Sequence, residues 1–80
     1  MSAAVSAELP RVVYDREADV VYISLGRPRP SYVREDPDVE GLCYRYSLEG
    51  DRLTGITIIW YSSQDEKELR RKIPFPVDLP

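Results

Sequence analysis

The stretch GLCYRYSLEGDRLTGITIIWY, residues 41–61, decides the fold. Over Gly41–Leu48, Leu42, Tyr44, Tyr46 and Leu48 alternate with Cys43, Arg45 and Ser47, the period of two expected of a strand with one buried and one half-exposed face. Glu49-Gly50-Asp51-Arg52 then has the chemistry of a turn, with Gly50 able to take a positive φ without a steric penalty. A second run, Leu53 to about Tyr61, sets Ile56, Ile58 and Trp60 on one side and Gly55, Thr57, Ile59 and Tyr61 on the other. The two runs predict a β-hairpin. The Ile58-Ile59-Trp60-Tyr61 run is apolar on both faces, as a strand covered on both sides would be.

Upstream, Val20–Leu25 is a second two-sided run, with Val21, Ile23 and Leu25 on one face and Val20, Tyr22 and Ser24 on the other. Val12, Val13 and Tyr14 form a shorter strand before it, joined through the polar turn Asp15–Asp19. Gly26-Arg27-Pro28-Arg29-Pro30 is a loop, because each proline removes a ladder donor and turns its predecessor away from helix. Ser31–Arg34 reads as a short edge strand, and Glu35–Glu40 as a charged connector. Downstream, Ser63-Gln64-Asp65-Glu66 reads as a capping box with Ser63 at its head. The helix after it carries acids early and Arg70, Arg71 and Lys72 late, in keeping with its dipole, and Leu69 and Ile73 form a narrow apolar stripe. Pro74 and Pro76 then impose an extended exit. The expected architecture is a small α+β domain: an antiparallel β-meander sheet of four to five strands, one short C-terminal helix and an extended tail. Residues 1–10 are expected to be a flexible tail, 11–73 the single domain and 74–80 a proline-rich tail.

The stretch Tyr14-Asp15-Arg16-Glu17-Ala18-Asp19-Val20-Val21-Tyr22-Ile23-Ser24-Leu25 resembles the opening signature of the small domain-of-unknown-function family 2283, Tyr-Asp-x-Glu-Ala-Asp-x-Leu-Tyr-Ile-x-Leu. The hairpin Gly41–Ile59 is similar to that family's second half. The resemblance implies a compact, stand-alone prokaryotic β-meander domain with no assigned enzymatic activity. It also implies an antitoxin-like role beside a toxin-type protein. The chain departs from the pattern at Arg45, Ser47 and Thr57, where relatives often carry acids.

The 80 residues include 11 Lys+Arg, 14 Asp+Glu, no histidine and one cysteine, for a formal net charge of −3. Without histidine there is no Ser-His-Asp triad, Cys-His dyad, His-ligated zinc or imidazole switch. Cys43 has no cysteine to pair with in the chain, and MSAAVSAELP lacks the basic start and apolar core of a signal peptide, so a cytoplasmic setting is expected. The longest apolar run is far short of the ~20 residues of a membrane span.

Four clusters carry chemistry worth weighing. Asp15, Glu17 and Asp19 alternate as hard-cation ligands do, but the segment lacks the glycine and distal glutamate of an EF-hand, and Asp15 is read as a turn cap. Glu35, Asp36, Asp38 and Glu40 are read as a solvated connector. Cys43 is read as a half-buried thiol without a catalytic base. Arg27, Arg29 and Arg34, with Tyr32 among them, form a candidate anion-binding patch. The rings of Tyr22, Tyr44, Tyr46, Trp60 and Tyr61 are candidate interface residues, because one helix and a few strands do not obviously cover both faces of the two-sided runs. The expectation is a non-catalytic protein-interaction or self-association module without cofactor or metal. It acts as a homodimer or larger homo-oligomer, with the Arg27 to Arg34 loop as the alternative site for a small ligand or nucleic acid.

Overall fold

The structure is a computed structural model and describes residues 10–80, so the expected N-terminal tail lies outside the described residues except for Pro10. Five strands form one antiparallel sheet: β1 (Arg11–Asp15), β2 (Val20–Ser24), β3 (Ser31–Glu35), β4 (Leu42–Ser47) and β5 (Leu53–Ile59). A 3₁₀ turn (Tyr61–Ser63) and one short helix, α1 (Glu66–Lys72), follow. The expected α+β class and hairpin 41–61 are therefore present. The sheet order is β1-β2-β5-β4-β3, with each neighbouring pair antiparallel. Three of the pairings are hairpins, and β5 joins them by pairing with β2. The 25–30 loop must therefore cross the ends of β5 and β4, roughly 14 Å at the usual strand spacing. Leu25 N donates to Thr54 O at 2.9 Å and Leu48 N to Pro30 O at 3.1 Å, pinning the loop at both ends.

Register decides which side chains share a face. Val12, Ile23, Ile56 and Tyr44 lie in one row across the sheet, and Tyr14, Val21, Ile58 and Leu42 in the next. Val21, Ile23, Leu42, Ile56 and Ile58 are fully buried there, joined by Val39 from the 36–41 connection and by Leu69 and Ile73 from the helix. Each such aliphatic side chain contributes about 1.5–3 kcal/mol when fully removed from water. Phe75, Val77 and Leu79 pack against the same cluster, while Pro74, Pro76 and Asp78 between them are exposed. The proline-rich end is thus an alternating, half-buried strap across this face. Its prolines fit because they point outward and pair with no strand.

Three sequence expectations give way, each for a local reason. Leu48 was expected beside Leu42, but β4 ends at Ser47, whose hydroxyl donates to Glu49 O at 2.7 Å and accepts from Arg52 N at 3.0 Å. Ser47 is buried and Leu48 stands out in the turn, 65% exposed. Trp60 was expected to follow Ile56 and Ile58 inward. Instead β5 stops at Ile59, Trp60 takes a left-handed conformation (φ 55°), and its ring is half-exposed. The helix is capped by Asp65, whose carboxylate accepts from Lys67 N at 2.9 Å, and not by Ser63, which belongs to the 3₁₀ turn. Gln64 between them is extended, its amide donating to Glu40 O and Ile59 O at 2.8 and 2.9 Å. That anchor keeps residue 64 out of the helix.

Candidate functional site

The sheet's second face is covered by neither α1 nor the tail. Its central row is Val13, Tyr22, Thr57 and Cys43, with Val20 and Ile59 beside them. Val13 is 52%, Tyr22 41% and Val33 61% exposed. Three large apolar side chains are thereby left facing solvent on one side of the sheet.

At one end of this face, beneath the 25–30 loop, lies a cavity of about 110 Å³. Arg27 and Arg29 reach it from the loop, Arg45 from β4, and the hydroxyl residues Ser24, Ser31 and Thr54 from three strands. Hydrogen bonds knit the wall together: Ser31 Oγ donates to Arg29 O at 2.8 Å, Thr54 Oγ1 donates to Arg45 O at 3.2 Å, and the two hydroxyls are 3.2 Å apart. Arg45 lies across β5 and donates through Nη2 to Ile23 O at 3.0 Å. The path is open only because residue 55 is glycine. A Cβ there would collide with Arg45 Nη2, sit 2.7 Å from Arg45 Cζ and 2.6 Å from Ile23 O. Arg45 Nε is buried without a hydrogen-bond partner among the described residues.

The predicted arginine trio is divided by the sheet. Arg27 and Arg29 line the cavity, but Arg34 stands opposite Tyr44 on the other face. Arg45, which the sequence places with Cys43 and Ser47 on the half-exposed face of its strand, takes its place. The signal was present in the alternation, which put Arg45 on the face opposite the tyrosines, but only the β4–β5 register brings it over Gly55.

The predicted interface rings are likewise dispersed. Tyr22 alone is on the open face. Tyr44 lies against the core, and its hydroxyl donates to Asp36 Oδ2 at 2.6 Å. Tyr46 stacks on Tyr32 with ring centroids 5.6 Å apart, and Tyr61 meets Tyr14 edge to face at 5.2 Å. Cys43 is half-buried on the open face, and burial, followed by the nearby Glu35 charge, pushes its thiol up. It is accordingly not a reactive thiolate at neutral pH.

Asp36, read as part of a solvated connector, and Asp19 both serve the fold instead. Asp36 is buried, with Oδ1 accepting from Asp38 N and Val39 N at 2.8 and 3.0 Å and lying 3.5 Å from Lys72 Nζ. Burial alone would raise its carboxyl. The Tyr44 hydroxyl, the two amides and Lys72 outweigh that and hold it below the ordinary value. Asp15 caps its turn as expected, accepting from Ala18 N at 3.1 Å. Asp19 reaches far along the chain to Ser62, taking its Oγ at 2.6 Å and its N at 3.0 Å, and also accepts the Tyr14 hydroxyl at 2.8 Å. Ser62 first and Tyr14 second lower its carboxyl. Among the described residues no three Cys, Asp or Glu side chains converge as a metal site would require, and no helix is long and apolar enough to cross a membrane. No protein-family model, no curated protein and no solved structure matches this chain.

Proposed function

We propose that this domain is a non-catalytic interaction module that functions as a homodimer joined through the open sheet face. The observation that carries the proposal is the one-sided use of the chain: helix and strap both pack on one face, leaving Val13, Tyr22 and Val33 exposed on the other. Five strands about 4.8 Å apart and five residues long span a footprint of roughly 400 Å². Side-chain relief raises the accessible area above that figure, toward the about 800 Å² per partner of a standard interface.

The edge charges support a second copy as the occupant. Arg11 and Asp15 stand two residues either side of Val13 on the open face of β1. A two-fold axis running across the strands through Val13 and Tyr22 sets each Arg11 against the partner copy's Asp15, so the same patch complements itself. Glu35, at the other end of the same row, meets its own copy at the solvent-exposed rim, where water and salt screen the repulsion. The resemblance to family 2283 adds a toxin-type protein to the proposal as a further partner of the dimer. The reading places the domain in a reducing cytoplasm, where Cys43 stays a thiol.

The test is sedimentation velocity of the intact chain and of Val13→Asp and Tyr22→Glu, two exposed positions that a monomeric fold tolerates. The expected result is a dimer that both substitutions dissociate with unchanged circular dichroism. A monomer at micromolar concentration in the unsubstituted protein overturns the proposal.

A further inference from the structure

We infer that the cavity formed by Arg27, Arg29 and Arg45 is a binding site for a single phosphate group. The helix residues Arg70, Arg71 and Lys72 are matched with acids, with Glu66 at 2.7 Å, Glu68 at 2.6 Å and Asp38 at 2.9 Å. The cavity gathers basic side chains without such a match. Three guanidiniums line it, no carboxylate does, and none of the three is in an ion pair among the described residues. In a chain of net charge −3, this is a local concentration of unanswered positive charge, and a multiply charged anion is its natural complement.

The geometry is built and not merely basic. Gly55 keeps the ground clear for the Arg45 guanidinium, and the Ile23 carbonyl fixes its orientation. Arg27 and Arg29 sit on a loop stiffened by Pro28 and Pro30 and pinned at both ends. Ser24 adds a hydroxyl at the wall suited to an oxyanion contact, while Ser31 and Thr54 direct theirs to the Arg29 and Arg45 carbonyls and hold the wall in shape. The volume, about 110 Å³, suits one small group and falls below the ~300–1,000 Å³ of pockets that enclose a whole drug-sized ligand. The phosphate belongs either to free inorganic phosphate or to a phosphate monoester whose remainder projects from the mouth.

The site does not depend on self-association, and its test is separable from that of the dimer. Inorganic phosphate and AMP are each titrated at constant ionic strength into the full chain. Calorimetry and amide chemical shifts are the readouts, and the oligomeric state of each sample is recorded by light scattering. Saturable binding is expected, with shifts concentrated at residues 24–31, 45 and 54–55. Affinity should fall about tenfold or more in Arg27→Gln/Arg29→Gln, exposed positions that leave the sheet intact. Arg34→Gln, on the opposite face, should bind as the unsubstituted protein does. Tighter binding of AMP assigns the site to a monoester, and equal binding assigns it to free phosphate; either supports the inference. Binding unaffected by the double substitution, equal loss in Arg34→Gln, or no saturable binding at millimolar phosphate overturns it.

Discussion

Gly55→Ala probes the seat of Arg45 most sharply. The added Cβ would lie 2.6 Å from the Ile23 carbonyl oxygen and 2.7 Å from Arg45 Cζ, against the roughly 3.5–4.0 Å of an ordinary carbon contact. Ile23 is backbone of the paired strand β2, so the ladder at Ser24–Gly55 must open or the guanidinium must leave its place. Overpacking of this kind costs about 1–3 kcal/mol, partly offset by the roughly 0.5–1 kcal/mol that alanine gains over glycine in a strand interior. The net loss should be about 1–2 kcal/mol. At about 4–8 °C per kcal/mol for a domain of this size, Tm should fall by roughly 4–16 °C. Thermal unfolding followed by far-ultraviolet circular dichroism measures it. In Arg45→Ala/Gly55→Ala the two contacts with the arginine vanish and only that with Ile23 O remains, so the double variant should be more stable than the sum of the single effects predicts. A Gly55→Ala protein as stable as the parent, or strict additivity in the double variant, would refute the placement of Arg45 over Gly55.

Other substitutions test other parts of the account. Tyr44→Phe leaves Asp36 Oδ2 buried without its 2.6 Å donor and should cost about 1–3 kcal/mol, read from urea unfolding at pH 7. Because the fold holds the Asp36 carboxyl below its ordinary 3.8, its contribution to stability should be complete above about pH 4 and be lost as the pH falls further; in Tyr44→Phe, which removes one of the groups that lower it, the acid-induced loss should be smaller and end at a higher pH, as a series of urea midpoints from pH 2 to 7 would reveal. Ser62→Ala removes the hydroxyl donor from Asp19, and its Tm should drop measurably, though by less than that of Tyr44→Phe. Leu48→Gln, at a turn position 65% exposed, should change stability by no more than about 0.5 kcal/mol, and a larger loss would show that Leu48 is packed.

The elements legible in the sequence were those in which pattern and pairing agree. The alternation of Val20–Leu25 and Gly41–Ser47, with Gly50 at φ +87° in the turn between β4 and β5, carried the sheet directly. What misled was the end of each run. Period two continues on paper through Leu48 and Trp60, yet the chain leaves the sheet where a side chain or backbone group finds a better partner: Ser47 in its own turn, and Tyr61 N with Asp19 O at 2.9 Å. Charge was legible only in bulk. Asp36 and Asp19 are surrounded by polar neighbours in sequence, and their partners, Tyr44 and Lys72 for one and Tyr14 and Ser62 for the other, arrive by folding. The arginine cavity was half visible for the same reason. Arg27 and Arg29 are two residues apart in the chain, whereas Arg45 joins them across the sheet.

The central claim, that the uncovered sheet face joins two copies of the chain, is tested most directly by the molar mass of the unsubstituted protein in solution. Light scattering across a micromolar concentration series should give twice the 9.2 kDa chain mass, reverting to the single-chain mass in Val13→Asp. A mass of one chain at every concentration, or a dimer that Val13→Asp and Tyr22→Glu both leave intact, would contradict it.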